Sequence, residues 1–144
     1  MFDAEDVPYR RLDGSMSVGE RRSVVEWLSE GEESKILLVS LRAGGVGLNM
    51  VAANRVYFMD LWWNPAVEAQ AEQRCHRIGQ KKDVHVFKFI AQDSIDERIL
   101  HLQSTKEYLV SDALTLNEKQ GDGAGESASK LNWKDIAYLF NMKL

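Results

Sequence analysis

Cysteine and proline are scarce in this chain of 144 residues, which holds one cysteine, Cys75, and two prolines. A lone thiol excludes a disulfide framework and any zinc site built from several cysteines, and it fits a reducing compartment. Long apolar runs are also lacking: none approaches the roughly 18 residues that a membrane span requires. The acidic opening MFDAEDVPYRR has no basic-then-apolar order and is not expected to act as a signal peptide. Basic residues are in the minority, 18 Lys and Arg against 22 Asp and Glu, for a formal charge of −4. That balance excludes a uniformly basic nucleic-acid binder but leaves room for one basic face. With 44% hydrophobic and 28% charged residues the chain is not wholly disordered, and its length suits a single domain.

Charge is unevenly spread. Residues 1–33 carry nine acids and four arginines, which reads as a solvated face. Residues 71–88 reverse the sign, with Arg74, Arg77, Lys81, Lys82 and Lys88 against Glu72 and Asp83. Residues 1–8 lack periodicity and read as a poorly ordered end or a cut through a longer protein.

Short apolar runs alternate with helical patterns, the sequence signature of an α/β fold with a parallel sheet and flanking helices. Strands are expected at Tyr9 to Leu12, Ile36 to Val39, Val56 to Met59 and Val84 to Ile90. Ser17-Val18-Gly19-Glu20 and Ser94-Ile95-Asp96-Glu97 match the S-x-x-E capping box. Asn64-Pro65 offers a cap followed by proline at the first helical position, where no N–H is needed. Ile95, Ile99, Leu102 and Leu109 share a stripe on the helix that follows Ser94. Residues 117–130, rich in glycine and without branched aliphatics, read as a flexible linker. Beyond it, Asn132 can cap a docking helix carrying Trp133, Ile136, Leu139 and Phe140, within 131–144. The main lobe is expected at 9–116.

Two segments carry chemistry. Ser40-Leu41-Arg42-Ala43-Gly44-Gly45-Val46-Gly47-Leu48-Asn49 follows the strongest strand. Ligands gather at the carboxyl ends of strands in open α/β sheets, and glycines let backbone N–H groups approach an anion. The same glycines suit a tight strand-to-helix turn that needs positive φ, and spacing alone does not choose between the two. A G-x-x-x-x-G-K-[ST] phosphate loop occurs nowhere in the chain. The second segment runs from Trp62-Trp63-Asn64-Pro65 through AVEAQAEQRCHRIGQ. On a helix from Pro65 to Ile78, Gln70, Gln73, Arg74 and Arg77 share one stripe, and Val67, Ala71, Cys75 and Ile78 form a burying stripe beside it. Glu68 and Glu72 then fall on the solvent side. Two arginines a turn apart repel unless an anion lies before them, and a polyphosphate matches guanidinium geometry.

Ser40–Asn49 resembles motif V, and Gln73-Arg74-Cys75-His76-Arg77-Ile78-Gly79-Gln80 resembles motif VI, of the Swi/Snf family of DNA translocases. The similarity spans Tyr9 to Leu116, the second RecA-like lobe. Ser40-Leu41 and the tail from Ser129-Lys130-Leu131 to Leu139-Phe140 are most like the branch of helicase-like transcription factor and lodestar. The resemblance implies that Arg77 is the arginine finger at the γ-phosphoryl group and that Arg74 is its partner. It implies nucleotide-facing roles for Gln73, Gly45, Gly47 and Asn49. DNA-backbone contacts are implied for Ser40, Leu41 and Arg42, with Leu41 standing where most of the family has a hydroxyl. The implied substrate is ATP with Mg²⁺, the metal held mainly by a first lobe. Double-stranded DNA and that lobe are the implied partners, and the nucleus the implied location. Asp13 is expected to serve structure, Trp62 and Trp63 to be core aromatics, and His76 to bond a main-chain group. No metal is assigned to His85 or His101.

The lysine, carboxylate and glutamate of a first lobe are missing from these residues, so the isolated chain is expected not to hydrolyse ATP. The strand and helix that open such a lobe are expected to be missing ahead of Tyr9, leaving apolar faces uncovered. Two readings compete: half of an ATP-driven double-stranded DNA translocase, or a non-enzymatic module that binds DNA or a partner through the basic stretch and tail helix.

Overall fold

The structure, a computed structural model, describes residues 7–31, 33–44, 47–117 and 131–142, and for Arg42 and residues 109–117 the backbone alone. The 118–130 stretch and residues 1–6 lie outside the described residues. In order, the elements are β1 (Tyr9–Leu12), α1 (Val18–Ser29), β2 (Ile36–Val39), α2 (Leu41–Gly44), β3 (Arg55–Phe58), α3 (Pro65–Glu72), β4 (His85–Lys88), α4 (Ile95–Asn117) and α5 (Trp133–Leu139). The expected strands are all found, each four residues long, and β4 is shorter than the Val84 to Ile90 run.

The chain divides into two compact units, Met1–Val56 with Val67–Phe87, and Tyr57–Ala66 with Lys88–Leu144. In the first, β1 and β2 pair in parallel with Tyr9 opposite Ile36 and Leu12 opposite Val39. Ser40 N donates to Leu12 O at 3.1 Å, extending the ladder to the residue where the glycine-bearing segment begins. Leu12, wholly buried, forms a core with Val24, Ala43, Met50 and Cys75. β3 pairs with β4. His85 N donates to Asn54 O at 2.9 Å and Phe89 N to Phe58 O at 3.0 Å, the same offset at both ends, as parallel pairing requires.

Helix α1 starts as its sequence dictates. The Ser17 hydroxyl accepts from Glu20 N at 3.3 Å, and Ser17 N donates to Glu20 Oε2 at 2.7 Å. Lys35 closes the other end, its Nζ donating to Trp27 O and Glu30 O beneath the Trp27 ring, where a cation complements the helix dipole. Asp13 takes the structural part expected of it, accepting from Ser15 N at 2.9 Å in the turn that leads to α1. Bonding to Ser15 lowers the Asp13 pKa, and bonding to Ser17 lowers that of Glu20. A carboxyl held low in the folded state adds stability that is complete above its unfolded pKa of about 4 and is lost as pH falls through the folded value. Ser17→Ala is therefore expected to cost about 1 kcal/mol near pH 6 and distinctly less near pH 3. Denaturant unfolding at the two pH values measures both.

The second unit buries Phe58, Leu61, Leu102, Ala137 and Leu139. Asn132 caps α5 reciprocally with Asp135, as its sequence suggested, and Asn141 at φ 54 closes the helix. Asn141 N donates to Tyr138 O and Met142 N to Ala137 O, the paired bonds of a Schellman end. At the start of α4 the expected box is altered. The Ser94 hydroxyl accepts from Asp96 N at 3.1 Å, and Asp96, not Glu97, reaches back, to Ala91 N. Leu102 is buried and Ile99 half-buried as the stripe required, but Ile95 is exposed, and the Leu109 side chain lies outside the described ones. Trp133 and Phe140 are exposed, while Ala137 and Leu139 carry the burial of α5. Tyr57, Met59, Phe89 and Ile90 also stand exposed, with the Tyr57 and Phe89 rings stacked at 6.2 Å.

Candidate functional site

The helix expected from Pro65 to Ile78 ends at Glu72. Asn64 Oδ1 accepts from Ala66 N at 3.1 Å and proline opens the helix, as foreseen. The early end has a tertiary cause. Arg74 N and Cys75 N bond back only three residues, to Ala71 O and Glu72 O. The Arg74 carbonyl, which a longer helix would keep for itself, accepts from Met50 N at 3.0 Å. The Cys75 carbonyl accepts from Gln80 Nε2 at 3.2 Å, and Gly79 turns the chain at φ 106. Gln73, Arg74 and Arg77 therefore sit on consecutive turns and not on a helical stripe.

Burial is redistributed accordingly. Cys75 is buried as expected, and burial raises its thiol pKa, so it stays neutral and inert. Ile78, expected to bury, is 99% exposed, while Glu68, expected in solvent, is 1% exposed. Arg74 is half-buried; Gln73, His76 and Arg77 are exposed. Among the described residues the His76 ring makes none of the main-chain hydrogen bonds expected of it. Arg77 borders an open depression of about 570 Å³ together with Lys81, Lys82 and Asp83, a surface of net positive charge.

The glycine-bearing segment lies in the same unit. Ser40 is exposed and its hydroxyl accepts from Ala43 N at 3.3 Å, capping the single turn of α2, in which Leu41 is half-buried. The Arg42 side chain and all of Gly45 lie outside the described residues. Gly47 has φ 36, and a Cβ built there would meet nothing within 4 Å. Asn49 is exposed. Ala43 of this segment and Met50 just after it share one core with Cys75 of the other, so two stretches distant in sequence are pinned together by buried residues while Ser40, Asn49, Gln73 and Arg77 stand exposed. Such a surface, with guanidinium, lysine and main-chain donors, suits a phosphate-rich anion. Among the described residues no three of His, Cys, Asp and Glu converge to hold a metal.

Trp62 and Trp63 are half-buried in the second unit, their rings 6.5 Å apart. Gln103 Nε2 donates to Trp62 O and Lys106 Nζ lies 4.5 Å from the Trp63 ring, a structural setting for both. Burial of Gln103 and Lys106 was not legible, because long polar side chains on a helix usually point to water.

Parallel strands flanked by helices, with both functional segments following strand or helix ends, define a RecA-like α/β lobe of the helicase type. Residues 1–79 match the family described as helicase conserved C-terminal domain. The chain belongs to that family. It is 45% identical over 134 residues to the helicase-like transcription factor CHR27 of Arabidopsis thaliana, covering 93% of this chain and 12% of that protein. It is 47% identical over 124 residues to the DNA repair protein RAD5B of the same plant, covering 81% of this chain and 10% of that one. The crystal structure of the C-terminal part of the Fun30 ATPase domain superposes with a TM-score of 0.72 at 29% identity, over 97% of this chain and 40% of that one. The Swi/Snf resemblance read from the motifs is borne out by these relatives. The chain spans about an eighth or less of the two Arabidopsis proteins.

Proposed function

We propose that this chain is the second lobe of an ATP-dependent double-stranded DNA translocase acting in the nucleus, in transcription termination, repair or chromatin remodelling. The supporting observation is the pinning of the Gln73–Gln80 turns to the Gly47–Ala53 segment by the Met50 N to Arg74 O bond and a shared core. Arg77, exposed beside Lys81 and Lys82, is positioned to meet a triphosphate presented by a first lobe. Its guanidinium stabilises charge developing on the transferred phosphoryl oxygens. Arg74, half-buried, orients the turn and completes the pair. Gln73, Gly45, Gly47 and Asn49 supply donors and clearance on the nucleotide side, and Ser40, Leu41 and Arg42 meet the DNA backbone. ATP supplies the phosphoanhydride bond, and Mg²⁺ is held mainly by the first lobe.

A steady-state ATPase assay tests the reading. These 144 residues alone are expected to show no turnover, and addition of a first RecA-like lobe to give DNA-stimulated hydrolysis. Turnover by the chain alone would refute the division of labour. DNA binding that is weak, salt-labile and indifferent to ATP with both lobes present would favour the non-enzymatic module instead.

A further inference from the structure

Gln80 holds a place that no role proposed so far uses. Its Nε2 faces three carbonyl oxygens, those of Val51 and Ala53 at 2.9 Å and that of Cys75 at 3.2 Å. Its Oε1 accepts from Lys82 N at 2.9 Å, and its own backbone N donates to Arg77 O at 3.0 Å. The amide orientation is fixed by chemistry: a flipped group would turn its oxygen toward three acceptors and its nitrogen toward a donor. Two consequences follow from these partners. The turns from Cys75 to Gln80 are closed by one residue at both the Cys75 and the Arg77 carbonyl, so Arg77 sits inside a loop that Gln80 ties off. The same side chain grips the Met50–Ala53 turn, where Ala53 N donates to Met50 O at 2.9 Å, directly after Asn49.

We propose that Gln80 is a positioning residue that fixes Arg77 relative to the Gly47–Asn49 segment; the proposal rests on the phosphate-facing role of Arg77 above. Loss of the cross-tie leaves the Met50 N to Arg74 O bond and the buried Met50 and Cys75 side chains in place. The loop therefore stays folded but loses its register at Arg77. Misplacing a charge-stabilising group by about 1 Å costs up to about a hundredfold in rate.

The test uses this chain joined to a first RecA-like lobe, with DNA-stimulated ATP hydrolysis as the readout. Gln80→Glu keeps the shape but sets a carboxylate against three carbonyls; Gln80→Met keeps the length without charge and serves if the first variant does not fold. Either is expected to lower kcat about tenfold to a hundredfold while the KM for ATP stays within about threefold. Combined with Arg77→Ala, either should add less than about twofold to the loss from Arg77→Ala alone, because the two act as one unit. A merely structural role would instead give losses that multiply, or a rise in KM beside the fall in kcat, and either result overturns the positioning role. Multiplying losses, or a normal kcat in both Gln80 variants while Arg77→Ala is impaired, overturns the positioning role and leaves the wider reading intact. Normal hydrolysis by Arg77→Ala overturns the wider reading, and the positioning role with it.

Discussion

Arg77→Ala in the two-lobed enzyme is expected to lower kcat for ATP hydrolysis by about 10³-fold or more, within the range of arginine-finger losses. At about 1.4 kcal/mol per tenfold that is at least ~4 kcal/mol of transition-state stabilisation. Because Arg77 is exposed on a loop held by its neighbours' main chain, its removal should leave the fold intact. Loss of an interaction made only in the transition state lowers kcat and kcat/KM alike and spares KM. Arg77→Lys should recover little, since an ammonium cannot reproduce the two-pronged contact of guanidinium with phosphate oxygens. Arg74→Ala should reduce both rate and stability, because Arg74 is half-buried. If the Arg74→Ala, Arg77→Ala double variant retains the full rate, these arginines do not meet nucleotide at all.

The elements that local chemistry specifies were legible in the sequence. Ser17 with Glu20, Asn64 with Pro65, and Asn132 ahead of Trp133 each marked a helix start that the structure contains. The Ile36–Val39 run was equally plain as a short apolar stretch between turn residues, whereas Tyr9–Leu12, with two arginines at its centre, gave a weaker strand signal. What periodicity could not show was the end of α3. A helical wheel carries no information about a competing donor such as Met50 N or Gln80 Nε2, each brought in by tertiary folding. Gly79 was the available warning, since a glycine so soon after the arginines permits the reversal at φ 106. The two motif segments are thus brought together for a reason different from the one that spacing suggested: a shared core, and not a shared helical face, joins them. The exposure of Ile78 follows from the same early end, because residues beyond Glu72 no longer keep a helical phase; the burial of Glu68, inside α3, does not.

In the second unit the largest expected effect on stability belongs to Asp135. One oxygen, Oδ2, accepts from Asn132 N at 3.1 Å and lies 3.2 Å from Lys106 Nζ, with both side chains largely buried. Lys106 in turn lies over the Trp63 ring, so one cation links α4 both to the capping box of α5 and to the Trp62-Trp63 segment. At the other end of α5, Arg98 Nη1 donates to Leu139 O at 2.9 Å, and the His101 and Tyr138 rings stack at 5.5 Å. Removing one partner of a buried ion pair costs about 3–5 kcal/mol, and the cap adds about 1 kcal/mol. Contact with the Trp63 ring returns part of that. Asp135→Ala is thus expected to destabilise α5 docking by about 3 kcal/mol, raising hydrogen exchange at the α5 amides about a hundredfold. Asp135→Asn keeps an oxygen for Asn132 N but loses the charge, so it should fall between wild type and alanine. Replacing Lys106 and Asp135 together by Met and Leu should restore much of the loss, since well-packed apolar pairs often match a buried ion pair. Exchange at α5 that Asp135→Ala leaves unchanged would mean that Leu139, Ala137 and the Arg98 contact hold the helix without the ion pair.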